Sequence, residues 1–164
     1  VFWTGLVLWL VSLLFGQVTI DPANRVYNRS RSQCVWASLE TIGRHWGLTQ
    51  LYGLTVIHKY PSGPSEANSV LNSKGIKAYW GSQSSLHDWQ SLENAINGWH
   101  WPAAVGIGGV HMLLIVGVSK EEITIIDNVG SKALKEQKLS RKDFDRQWDG
   151  WWIVIPNPKD LREK

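Results

Sequence analysis

Ser32-Gln33-Cys34-Val35-Trp36-Ala37-Ser38-Leu39-Glu40 holds the only cysteine in a chain of 164 residues. Behind that cysteine, Val35, Leu39, Ile42 and Trp46 recur at spacings of three and four, the apolar stripe of a helix, and Gly47 offers a stop. The spacing predicts a helix that begins at Cys34. A cysteine on the first turn of a helix has backbone N–H groups and the positive end of the helix dipole beside it. Both favour thiolate over thiol, and the thiolate is the nucleophile. The plainer reading of a lone cysteine is a small buried hydrophobe. What separates the two readings lies farther along the chain.

From Ala103 the pattern turns from helical to extended. Ala103 to Ile107 is a short apolar strand, Gly108-Gly109 a turn, and Val110 to Val118 a nearly continuous apolar run that reads as a buried strand. His111 is the odd residue in that run. Ile123 to Ile126 is the next strand and ends at Asp127-Asn128. Two antiparallel strands joined by a tight turn near Lys120 bring His111 and Asp127 to one end of a sheet. There a carboxylate holds an imidazole in one tautomer and stabilises its charged form. A helix N-terminus packed against that end presents Cys34 to the other ring nitrogen, which is the nucleophile, base and orienter arrangement. Taken singly, His111 reads as a core histidine and Asp127 as a turn residue. Their conjunction with a cysteine at a helix start favours chemistry.

With these residues in place the chain resembles a papain-like cysteine protease, and more narrowly the bacteriocin-processing, double-glycine-leader peptidase family. The resemblance runs from about Arg25 to Ile155. It is carried by Gln33-Cys34 with Ala37-Ser38-Leu39, by Leu92 to Ile96 followed by Pro102, by Ala104-Val105-Gly106, by His111 to Gly117, by Ile125-Ile126-Asp127, and by Phe144 and Trp148. It implies a papain-like α+β fold, with the nucleophile helix packed on an antiparallel sheet. It also implies peptide-bond hydrolysis through Cys34, His111 and Asp127 by way of a thioester acyl-enzyme. The family usually carries an oxyanion-hole glutamine six positions before the cysteine; here that position is Asn28, whose amide donates the same bond from a shorter stem. Gln33 is the competing donor, and the Cys34 backbone N–H is a second one. Asn128 stands where relatives commonly have proline, which leaves it open as an alternative orienter to Asp127. Gln33, Trp36, Gly109 and Val110 are the expected substrate contacts. Two other readings remain: a thiol amidase or transglutaminase-like acyltransferase of the same fold, and a non-catalytic peptide-binding module with Trp80, Trp99 and Trp101 as its wall.

Composition bounds the rest. Hydrophobic residues at 43% and charged ones at 19% describe a globular chain, long enough for one domain with a sizeable core. The net charge of +3 comes from scattered lysines and arginines mixed with acids, so no nucleic-acid patch is expected. One cysteine excludes an internal disulfide. No pair among His45, His58, His87 and His100 has metal-ligand spacing, and Gly106 to Gly109 is a turn rather than a phosphate loop, so neither metal nor cofactor is expected.

Residues 1–20 carry no charge and are apolar on all sides, which favours a signal peptide or membrane anchor over the third reading, a buried helix of the domain. They predict an extracytoplasmic, secreted or membrane-anchored protein, with possible membrane association through that segment. The peptidase domain is expected over 21–158 and a charged tail over 159–164. Between the two halves the sequence suggests a short helical piece within 48–60, and a helix capped by Ser65 and closed by Gly75. A strand over 76–80 and a helix capped by Ser85 or Ser91 and ended by Pro102 follow. A short helix within 138–146 and a last strand over 151–155 complete the expectation. Helices first and strands after argue α+β with an antiparallel sheet.

Overall fold

The fold is built around the helix that starts at the cysteine. A computed structural model describes residues 16–30, 32–82 and 88–161. Helix α1 spans Cys34–Trp46 and ends at Gly47, whose φ of 69° lets its N–H turn back to Arg44 and Gly43. Every residue from Cys34 to Gly43 is buried. Burying Val35, Leu39 and Ile42 contributes about 1.5–3 kcal/mol each relative to exposure. The polar residues among them must then find partners. Glu40 accepts from Arg44 at 2.7 Å and from the Thr55 amide and hydroxyl at 3.1 and 2.9 Å. The Thr41 hydroxyl accepts from the Val26 amide at 2.9 Å.

Helices α2 (Leu54–Ile57) and α3 (Pro64–Ser73) follow. Helix α3 begins two residues earlier than Ser65 at the cap implied, with Gly63 at the cap and Pro64 in the first turn, where its missing N–H costs nothing. Ile76 does not start a strand. Its N–H closes the end of α3 on Leu71 at 2.9 Å, and β1 begins only at Tyr79. Helix α4 (Trp89–Glu93) is capped by Asp88, not by a serine: the Asp88 carboxylate accepts the Ser91 N–H at 3.0 Å. Ser85 lies outside the described residues. The helix runs on into a wider turn over Asn94–Gly98.

Six strands form one sheet: β1 (Tyr79–Ser82), β2 (Ala103–Ile107), β3 (His111–Val118), β4 (Glu122–Ile126), β5 (Glu136–Ser140) and β6 (Trp148–Val154). Their order is β1-β6-β2-β3-β4-β5, and every neighbouring pair is antiparallel. This is the α+β architecture with an antiparallel sheet that the order of elements implied. Strand β3 is central and buried from Met112 onward, covered by α1 and by the segment after α4. Strand β5 replaces the front of the helix expected within 138–146. It is an edge strand with exposed Glu136, Lys138 and Ser140, so it shows little apolar alternation in sequence. Ser140 then caps the short helix α5 (Arg141–Asp145).

The described chain before Asp21 also packs into this core. Val18 donates to the Val116 carbonyl at 2.6 Å, and Val18 and Ile20 are buried. The packed unit therefore takes in residues that the composition alone grouped with the apolar segment. Among the described residues no helix is long and apolar enough to cross a membrane. Most of the apolar segment, residues 1–15, lies outside them.

Candidate active site

Three backbone features converge at one end of the sheet. Cys34 is the first residue of α1. His111 opens β3 directly after the turn Gly108–Val110, in which both glycines have positive φ, 61° and 71°. Asp127 follows the last residue of β4, and the β3/β4 register, with Leu114 opposite Ile126, carries it towards His111. The His111 Nε2 lies 2.8 Å from Asp127 Oδ1, and the Cys34 thiol is hydrogen-bonded to the same imidazole. With Nε2 engaged by the carboxylate, Nδ1 is the nitrogen that faces the thiol.

The electrostatics follow from that chain of contacts. Burial pushes the Cys34 thiol up. The His111 hydrogen bond, the Met112 N–H, the imidazolium charge and the Val35 N–H together outweigh burial and hold the thiol below its usual value. His111 is pushed up to about 9, first by its bond to Asp127 and then by its bond to Cys34, against the opposing effect of burial. For Asp127, burial raises its pKa but the His111 bond and charge and the Val129 and Asn128 amides lower it further, so it stays below the usual carboxylate range. The arrangement therefore favours the thiolate and the imidazolium relative to an isolated cysteine and histidine.

Asn28 and Asn128 hold the frame. The Asn28 amide N–H donates to the Asn128 carbonyl at 2.8 Å, tying the loop before α1 to the end of β4. The Asn28 Oδ1 accepts the Gln33 N–H at 3.2 Å, which orients the side chain and leaves its Nδ2 as the other end. That Nδ2 is buried and has no hydrogen-bond partner. A buried donor without a partner is costly unless something arrives to accept from it. Asn128 Nδ2 reaches the Cys34 carbonyl, the Ser38 hydroxyl and the Met112 carbonyl, each at 3.0 Å, so one amide braces α1 against β3 and β4.

No family model matches this sequence, and no curated protein matches it. Solved structures do. A double-glycine-motif protease from an AMS/PCAT transporter, in complex with its leader peptide, superposes with a TM-score of 0.62 at 16% identity, over 86% of this chain and 94% of that one. The peptidase domain of Streptococcus ComA, a bifunctional ABC transporter of a quorum-sensing pathway, gives 0.58 at 18% identity, over 80% and 96%. The C39-like N-terminal domain of a toxin secretion ATP-binding protein from Vibrio parahaemolyticus gives 0.53 at 14%, over 75% and 95%. The fold is that of the C39-like peptidase domains.

Within this C39-like fold the residues singled out from sequence separate into two groups. Cys34, His111 and Asp127 meet. Cys34 and His111 open on a cleft of about 330 Å³, which Gly109 and Val110 also line. Gln33 and Trp36 do not line this cleft. The Gln33 side chain is spent on the Thr55 and His58 carbonyls at 2.5 and 3.0 Å, because it faces back towards α2 rather than forward over the cysteine. Trp36 is 1% exposed, stacks on His58 and donates to the Tyr60 carbonyl. Asn128 is not on the imidazole at all. Its side chain braces α1 instead, because the residue after Asp127 points to the other side of the strand end. Trp99 and Trp101 line a separate hollow of about 410 Å³ together with Tyr79 and Trp152, away from the cysteine. Pro61, Ser62, Asp149 and Trp151 line the Cys34 cleft and were missed. They come from a loop and from β6, far from the motif in sequence, and only the Pro61-Ser62 break gave any local signal.

Proposed function

We propose that this protein is a cysteine peptidase that cuts peptide bonds through Cys34, His111 and Asp127. The observation that carries the reading is the continuous path from the Cys34 thiol through the His111 imidazole to the Asp127 carboxylate. The Cys34 thiolate attacks the scissile carbonyl and the electron pair moves to oxygen. The Asn28 Nδ2 and the Cys34 backbone N–H steady that oxyanion, which supplies the missing acceptor for the buried amide. His111 gives its proton to the leaving amine as the carbonyl re-forms and a thioester remains. It then takes a proton from water, which attacks the thioester, and the thiol is regenerated. Asp127 keeps its charge throughout and holds the ring. Likeness to a domain solved with a bound leader peptide supports an extended peptide as the ligand of the cleft.

The test is cleavage of internally quenched peptides by the full chain, beside its Cys34→Ser and His111→Ala variants. Hydrolysis by the native chain that disappears in both variants is the expected result. No hydrolysis of any peptide, together with a Cys34 that reacts with alkylating agents no faster than a free thiol, overturns the reading.

A further inference from the structure

We propose that Asp149 makes the Cys34 cleft selective for a peptide with a basic side chain, lysine or arginine, close to the bond that is cut. This rests on the peptidase reading above and adds the substrate class. Asp149 belongs to β6 and lines the cleft together with Cys34 and His111. It can lie there because residue 106 has no side chain: a Cβ on Gly106 would fall 2.5 Å from Asp149 Oδ1 and 2.7 Å from Oδ2. The carboxylate is held in place by two backbone donors, the Gly109 N–H on Oδ2 at 3.1 Å and the Trp151 N–H on Oδ1 at 2.9 Å. These bonds fix its direction without cancelling its formal charge. A carboxylate offers about four acceptor positions, so about two remain open. No lysine or arginine among the described residues forms an ion pair with it.

The charges around it favour a cation. His111, the one basic side chain among the residues that line the cleft, is paired with Asp127, and no lysine or arginine lines the cleft beside Asp149. A lysine or arginine head group reaching Asp149 makes a charge-assisted hydrogen bond, whereas a glutamate there is repelled. Val110, Trp151 and Pro61 supply apolar wall for the methylene stem of such a side chain. A carboxylate that merely braced the turn before His111 would need no open cleft in front of it.

The experiment compares kcat/KM, on the full chain, for peptides identical except for lysine, norleucine or glutamate at each position around the cleaved bond. At one position lysine is expected to exceed norleucine by at least about tenfold, and glutamate to fall below both. That advantage shrinks towards unity in 1 M salt, a measurement on the native chain that needs no variant. In Asp149→Asn the ratio of lysine to norleucine collapses, and in Asp149→Lys glutamate becomes the preferred residue. Cleavage at equal rates for lysine and norleucine at every position overturns this inference while leaving the peptidase reading intact. A lysine advantage that persists in Asp149→Asn does the same. No cleavage of any peptide, with a Cys34 of ordinary reactivity, overturns the peptidase reading and this inference with it.

Discussion

Asp127→Asn separates charge from shape at the centre of the site. The asparagine Oδ1 still accepts from His111 Nε2 and from the Val129 N–H, which lies 3.1 Å from the native oxygen. What is lost is the negative charge. His111 is raised from 6.5 to about 9, which at about 1.4 kcal/mol per unit amounts to about 3 kcal/mol in favour of the imidazolium. Its side chain is 24% exposed, so most of that preference survives solvent screening. Asp127 is the largest cause of the rise and Cys34 the second. Removing the charge should lower His111 by more than one unit, and Cys34 should climb back towards a free thiol as its cationic partner is lost. The assay is the rate of iodoacetamide alkylation of Cys34 between pH 4 and pH 10. Native Cys34 is expected to react well below pH 8. In Asp127→Asn its profile moves up by about one unit or more, and in His111→Ala it approaches about 8.5, the value of an unperturbed thiol. Superimposable profiles for the native and Asp127→Asn proteins would refute the reasoning, because the carboxylate would then contribute nothing to the pair.

Asn28→Asp keeps the acceptor for the Gln33 N–H but removes the donor, so kcat should fall by about 10²–10³ with KM little changed; steady-state kinetics on a cleaved peptide read this, and Asn28→Gln should restore part of the loss. Asn128→Ala removes three buried hydrogen bonds between α1, β3 and the end of β4, which should cost about 2–3 kcal/mol in urea unfolding at pH 7. The profile of kcat/KM against pH should be a bell, with a basic limb near the His111 value of about 9 and an acidic limb below the usual thiol range. Because the folded His111 value is raised, its contribution to stability is fully present below about 6.5 and is lost as pH rises through about 9; the urea midpoint of the native chain should fall across that window, and that of His111→Ala should not show this component.

The apolar spacing behind Cys34, the glycine stop at Gly47, and the switch to β-rich apolar runs after Ala103 were readable because each is a local period. His111 and Asp127 were readable for a related reason. A short turn between adjacent antiparallel strands fixes which residues share an end, and that follows from counting. Strand β5 was not readable, since an exposed edge strand carries no apolar alternation to count. The placement of Gln33 and Trp36 away from the cleft was not readable, because nearness to Cys34 in sequence says nothing about direction. On the first turns of a helix the side chains fan out through 100° per residue, and those of residues 33 and 36 face α2 and its loop rather than the cleft.

The sequence by itself determined the helix that begins at Cys34, the strand-end histidine and aspartate, and the antiparallel α+β class, all of which rest on short-range spacing. Tertiary structure alone decided the second half of the site. It turned Asn28 so that its Nδ2 is left without a partner, set Asn128 as the brace between α1 and β3, and brought Asp149 into the cleft through the gap at Gly106. Those placements depend on which strand lies beside which. The neighbours β2 and β6 are about forty residues apart along the chain, and no local period records such a pairing.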